Sequence, residues 1–149
     1  MKPKLLKGKK LTKALDDKIR EIFKAKYGSN PTCFVCGRMD SWWNSKTYPR
    51  GIQVGHFVGR KRTVLRWSLL NVFPQCSGCN IIHNTNPAPF AMAIINDKTL
   101  GIEHINLLRD IAKNAVGDRV TETQKRDLLA ELSEYPSFYK NFDKPTVMC

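Results

Sequence analysis

No run of about 18 or more apolar residues occurs in this chain, so no segment reads as a membrane-spanning helix. The opening stretch, MKPKLLKGKKLTK, is basic but lacks the apolar centre of a secretory signal. The expectation is a cytoplasmic protein with no membrane partner. Acidic side chains are scarce: residues 27–86 contain one, Asp40, against seven Lys and Arg. Cysteine is nearly confined to two Cys-x-x-Cys pairs, with Cys149 left over as a bystander at the last position. Beyond those pairs there is no internal repeat.

What is present is positive charge, and it is unevenly placed. The formal net charge is +12. Residues 1–26 hold ten basic and three acidic side chains, whereas residues 87–149 hold eight and nine. The excess therefore lies in the N-terminal segment and the cysteine-bearing middle. Such a surface calls for a polyanionic partner, nucleic acid first among them, although a solvated basic face or a ribosomal or membrane surface would suit it too. At 149 residues and 42% hydrophobic content the chain can bury one core.

Residues 1–10 read as a disordered Lys-rich arm, with residues 11–149 as one domain. Thr12 is placed to cap a helix reaching about Tyr27, with Leu15, Ile19, Ile22 and Phe23 on one face and Gly28 as its stop. NPTCFVCG makes the first knuckle. SWWNSKTYPRGIQVGHFVG reads as two strands turned at Pro49-Arg50-Gly51, and the second knuckle follows. Helical patterns then run through PFAMAIIND, GIEHINLLRDIAKNAV and TETQKRDLLAELSEY, the last opening on a capping box at Thr121 or Thr123. The reading is a small α+β fold: a core at 30–97 organised around a metal, with C-terminal helices at 101–135.

Zinc takes four thiolates in a tetrahedron, and a Cys-x-x-Cys turn supplies two. Cys33, Cys36, Cys76 and Cys79 thus form a structural zinc site, with chance pairs or redox thiols as the alternative. The 39 residues between Cys36 and Cys76 exceed the roughly 15–20 of a simple ribbon. A hairpin-sized insert lies between the halves, and it contains His56.

The order His56, Asn71, Asn80, His83 has chemical meaning. Hydrolysis of a phosphodiester needs a base to activate water and a divalent metal to stabilise charge on the phosphate. A strand histidine, His56, can be that base. Asn80 and His83, at i and i+3 on a first helical turn, can reach one metal, Mg²⁺ or Mn²⁺. The plainer readings are a hydrogen-bonded strand histidine for His56, a helix N-cap for Asn80 and an exposed helical residue for His83. Asn71 is read as structural and His104 is given no role. Arg60, Lys61, Arg62 and Arg66 suit phosphates flanking the scissile one, or else form a solvated loop. Trp42, Trp43 and Trp67 suit packing more than base stacking.

With these residues in order, GHFVGRKRTVLRWSLLNVFPQCSGCN resembles the NinG/Rap family of lambdoid bacteriophage recombination nucleases. More broadly it is similar to the HNH, or ββα-metal, nucleases of the endonuclease VII type. The likeness covers about Asn30 to Tyr135. It implies a treble-clef-like, zinc-stabilised ββα-metal core and a structure-selective DNA endonuclease (a hydrolase) acting in recombination on Holliday junctions or D-loops. His56 then matches the general base, Asn71 the bracing asparagine, Asn80 the metal ligand after the knuckle and Asn86 the asparagine of a Gly-Asn pair. Gly55 stands where many HNH nucleases have a metal-binding Asp, a glycine that NinG-like proteins share, and Thr85 replaces the usual glycine before the later asparagine. Paired cuts in a four-way junction would suit a homodimer. The competing reading is a non-catalytic zinc-stabilised DNA- or RNA-binding protein.

Overall fold

The computed structural model describes residues 4–115 and 119–134. Among them are six helices and one two-stranded antiparallel sheet, an α+β arrangement. In chain order they are α1 (Gly8–Tyr27), β1 (Gln53–His56), α2 (Thr63–Arg66), β2 (Val72–Gln75), α3 (Ser77–His83), α4 (Ala88–Asn96), α5 (Gly101–Asn114) and α6 (Glu122–Leu132). No helix among the described residues is long and apolar enough to cross a membrane. Cys149 lies outside the described residues.

The N-terminal helix starts earlier than its own residues suggest. Its N-cap is Lys7, whose side chain makes no cap bond, and its first turn holds no acid. Such a start leaves amide donors unsatisfied and sets lysines against the helix dipole. Glu122 of α6 corrects both, accepting a hydrogen bond from the Gly8 amide at 2.9 Å. Arg126 donates to the Leu6 carbonyl at 3.2 Å, so residues 4–10 are partly helix and partly tied to α6 rather than a free arm. Thr12 lies inside the helix, and its hydroxyl accepts from Lys125. At the other end Gly28, at φ 76°, closes the helix through its amide to the Lys24 carbonyl. The apolar stripe Leu11, Leu15, Ile19, Ile22 and Phe23 is buried; its lower part packs with Trp67, Val72 and Leu132. Each such side chain contributes about 1.5–3 kcal/mol by leaving water.

The expected hairpin about residues 49–51 does not form. Asn44 instead closes a tight turn, its Oδ1 accepting from the amides of Lys46 and Thr47, with Asn44 and Tyr48 bridged. Trp42 makes only an isolated parallel bridge to Ile52. β1 pairs across the later 57–71 loop with β2, in the register Gln53↔Gln75 through His56↔Val72. β2 is buried along its whole length, a place for VFPQ that no solvent-facing partner strand offers. Proline lacks the amide for a full ladder, and the Pro74 carbonyl is met by the Phe34 amide at 2.7 Å, which brings the first knuckle onto β2.

One side of this ribbon faces α1. The other carries Phe73, which joins Phe57, Leu65, Phe90, Ile94, Ile105 and Leu108 in a second core shared with α4 and α5. Thr121 completes α6 with a reciprocal capping box to Gln124.

Candidate metal centre and active site

The four cysteines of the two knuckles converge. The Sγ atoms of Cys33, Cys36, Cys76 and Cys79 all lie within 4.8 Å of one another, with Cys36 and Cys76 at 3.7 Å. Sulfurs about 2.3 Å from a tetrahedral zinc stand about 3.8 Å apart, so this cluster fits a four-thiolate metal ion. Cys33 and Cys76 are buried, packed with Ile52. Burial works against a charged Cys33, yet bonds from the amides of Cys36, Cys76 and Val35 lower its pKa. Burial raises Cys36, and burial with the neighbouring sulfurs raises Cys79. A bound metal ion would favour the thiolate form at such a cluster.

The second knuckle is also the start of α3. Cys76 is its N-cap, with Sγ accepting from the Cys79 amide at 3.4 Å. Asn80 is therefore inside the helix, not its cap. Its Nδ2 donates to Gln53 Oε1 at 2.7 Å, which leaves Oδ1 as the free donor for a cation.

His56 ends β1 and is half-buried. Its Nε2 is 2.8 Å from the Arg66 carbonyl. A carbonyl only accepts, so Nε2 carries the proton and Nδ1 keeps the lone pair. Burial lowers the pKa of His56 below 6.5; the hydrogen bond to the Arg66 carbonyl is the next contribution and opposes it. The Arg60 charge, which lowers it, the Asp16 charge, which raises it, and the Arg66 charge, which lowers it, follow in that order. His56 is thus neutral near pH 7, as a base must be.

Arg66 is held in turn. Its Nη2 and Nε reach the two Asp16 oxygens at 2.8 and 3.2 Å, and Trp67 Nε1 adds a third bond at 2.8 Å. Burial opposes the Asp16 charge, but these donors hold its carboxyl below the usual range. Arg66 is therefore spent on Asp16 and is not a free phosphate contact. Arg60, Lys61 and Arg62 are exposed on the 57–71 loop.

That loop is pinned from several directions. Asn71, fully buried, donates to the Val58 and Leu65 carbonyls and accepts from the Val58 amide. His83 Nε2 meets the Phe57 carbonyl at 2.8 Å and His104 Nε2 meets that of Leu70 at 2.6 Å. All three histidines brace this one loop.

His56 and Asn80 line a cavity of about 170 Å³, together with Asp16, Arg20, Lys24, Arg60, Arg66, Gln53 and the indoles of Trp42, Trp43 and Trp67. His83 does not. Its ring stacks on Phe57, meets Phe90 edge-on, and lines a smaller cavity beside Cys79 and Asn86. The expected convergence of Asn80 and His83 on one metal fails for a geometric reason. Each reaches a different end of β1, Gln53 and Phe57, whose backbones lie about 13 Å apart along an extended chain.

Gly55 has its own cause. A Cβ there would lie 1.8 Å from Gln75 Oε1, so the Gln75 side chain occupies the space an aspartate would need. Gln75 is fully buried, and among the described residues neither polar atom of its amide has a partner. Asn86 accepts from the Ala88 amide at the start of α4.

Sequence reasoning missed the α1 wall of the cavity. Asp16, Arg20 and Lys24 recur every fourth residue, a helical stripe that was legible, but nothing local says what the stripe faces.

The fold and the cluster define a small α+β protein with a four-cysteine group that could hold a metal ion. No family model matches the chain, and neither the curated proteins nor the solved structures compared with it give a match.

Proposed function

We propose that the chain is a zinc-stabilised, metal-dependent DNA endonuclease of the HNH type, related to the NinG/Rap recombination nucleases and acting on branched DNA in the cytoplasm. The observation that supports this reading best is the shared cavity of His56 and Asn80, walled by Arg20, Lys24 and Arg60. A neutral histidine beside several cations suits attack on a phosphodiester, where the cations attract the phosphate and also keep the base unprotonated.

His56 Nδ1 takes a proton from water while its Nε2–H stays on the Arg66 carbonyl. Asp16 holds Arg66 and so fixes the ring's direction. Asn80 Oδ1 and Gln53 Oε1 are the neutral oxygens on the wall, and both Asp16 oxygens are already taken. Neutral amide oxygens alone are a weaker set than the carboxylates these ions prefer, so Asn80 and Gln53 would hold Mg²⁺ or Mn²⁺ only together with the phosphate of bound DNA. Such an ion, when bound, supplies charge stabilisation on the scissile phosphate. A zinc ion held by the four cysteines would tie the first knuckle to the start of α3, the helix that carries Asn80.

The test is cleavage of a synthetic four-way junction and a matched linear duplex, with Mg²⁺ or Mn²⁺ and with EDTA, by wild type and His56→Ala. The expected result is metal-dependent cutting of the junction, reduced about 10²- to 10⁴-fold in the variant. Equal cutting of both DNAs removes the branched substrate from the reading. Binding without cutting in any metal makes the chain a non-catalytic DNA-binding protein.

A further inference from the structure

Of the three tryptophans around the cavity, two are committed to the fold. Trp67 is 3% exposed, with its Nε1 on Asp16. Trp42 is half-buried, with its Nε1 on the Gly28 carbonyl at 2.6 Å. Trp43 differs: it is 36% exposed, and no side-chain hydrogen bond or ring contact engages its indole among the described residues. Its backbone is nevertheless fixed, because its amide donates to the Ile52 carbonyl at 2.9 Å. The crossing there is so close that a Cβ on Gly51 would lie 2.5 Å from the Trp43 nitrogen. The result is an open indole on a rigid support, in the same cavity as His56, Arg20 and Lys24.

We propose that Trp43 is a stacking platform for an unpaired nucleobase of the DNA, with Lys24 of α1 and Arg20, through the guanidinium nitrogens that its exposed ion pair with Asp17 leaves open, holding the phosphates beside it. A large indole left in water costs free energy unless something covers it, and the surrounding charge says what does. A neutral apolar peptide gains nothing from Arg20, Lys24 and Arg60, whereas a nucleotide offers a flat ring for the indole and an anion for the cations. Bases inside an intact duplex are already stacked on one another. Single-stranded flaps and branch points present free faces, so the platform favours branched or gapped DNA over plain duplex. This inference rests on the nuclease reading for its location beside His56, but it concerns binding and is measured apart from cleavage.

The experiment uses the full-length, zinc-loaded protein carrying His56→Ala, so that bound DNA stays intact. Fluorescence anisotropy gives Kd for a duplex and for the same duplex with a short unpaired flap. Adding Trp43→Leu is expected to weaken flap binding about tenfold, within the range for one lost base–aromatic stack, and to leave duplex binding within about twofold. Trp43→Phe restores most of the difference. Arg20→Gln with Lys24→Gln weakens both DNAs and flattens the slope of log K against log salt by about 1.8 on duplex. Equal losses on both DNAs with Trp43→Leu, or no loss on either, overturn the platform. Intrinsic fluorescence gives a readout that does not need the leucine variant to fold: flap DNA quenches the parent far more than Trp43→Phe, and equal quenching overturns the proposal. If the junction assay shows no cutting while the flap-selective loss stands, catalysis falls and the platform survives. The converse result removes the platform alone.

Discussion

On the α1 side of the β1–β2 ribbon and on the α3 side, the molecule places the same group in the same bond. His56 and His83 each set Nε2 2.8 Å from a backbone carbonyl of the 57–71 loop. On the α1 side the remaining nitrogen belongs to a ring lining an open cavity rich in Arg and Lys. On the α3 side it is buried with no partner among the described residues, between Phe57 and Phe90. A histidine's chemistry is thus decided by what faces its second nitrogen, not by the bond that orients the first. The α1 side can hold an anion and water. The α3 side is packing next to the four-cysteine cluster.

The largest expected effect separates the two sides by removing what holds one of them. Cys76 is at once a cluster sulfur, the α3 N-cap and a buried member of the packing around Ile52. Cys76→Ser should abolish stable metal binding and with it the native fold, since a structural zinc supplies about 10 kcal/mol or more of folding free energy in small domains. Metal content by plasma mass spectrometry and the far-ultraviolet dichroism melt check this. A variant that keeps a wild-type melt without metal would show that the helical cores of α1–α6 and α4–α5 stand by themselves, and that the knuckles merely decorate them.

These parts are unequally legible in the amino-acid order. The four cysteines are legible because thiolate coordination demands one residue type at short fixed spacing, and nothing else in the chain competes for them. The C-terminal helices and the Thr121 box are too, because their signals are local. The start of α1 is not: its cap is Glu122, 114 positions away. Nor is the strand pairing, since TYPRG reads as a hairpin turn while the ladder depends on a long loop held shut by Asn71 and three histidines. The i, i+3 spacing of Asn80 and His83 gives them a shared helix face, but side-chain reach then carries them to opposite ends of β1. For the same reason Arg66 reads as a phosphate ligand, although Asp16, 50 residues earlier in the chain, holds it.

A second substitution sharpens the contrast between the histidines. His83→Ala removes a ring packed on Phe57 and Phe90 and leaves the Phe57 carbonyl without its donor. It should cost about 2–3 kcal/mol of stability through the cavity and the lost bond, read as a shifted denaturant midpoint. At a temperature where the variant remains folded, its cleavage rate should stay within about tenfold of wild type. A rate loss as deep as that of His56→Ala, with stability unchanged, would return His83 to the catalytic metal and make the two sides chemically alike.

The smallest effect concerns acid. Burial, with the charges of Arg60 and Arg66, puts the pKa of His56 below 6.5, so its ring keeps its lone pair to lower pH than a solvent-exposed imidazole does. The acid limb of the cleavage rate should therefore have its midpoint below 6.5, measured in single-turnover assays at fixed ionic strength. Between that midpoint and the unfolded value near 6.5 the folded chain binds fewer protons at this site than the unfolded one, so its contribution to stability falls as the pH is lowered. Arg60→Ala removes one of the charges that disfavour protonation and should move the limb upward, toward 6.5, by a fraction of a unit. This substitution acts on the α1 side through charge alone, since Arg60 is exposed and makes no packed contact in either core. An unmoved limb in Arg60→Ala would remove Arg60 from the causes and leave burial and the Arg66 charge. A limb above 6.5 in wild type would mean that the titrating base is a different group, and the asymmetry between the two sides of the ribbon would lose its chemical meaning.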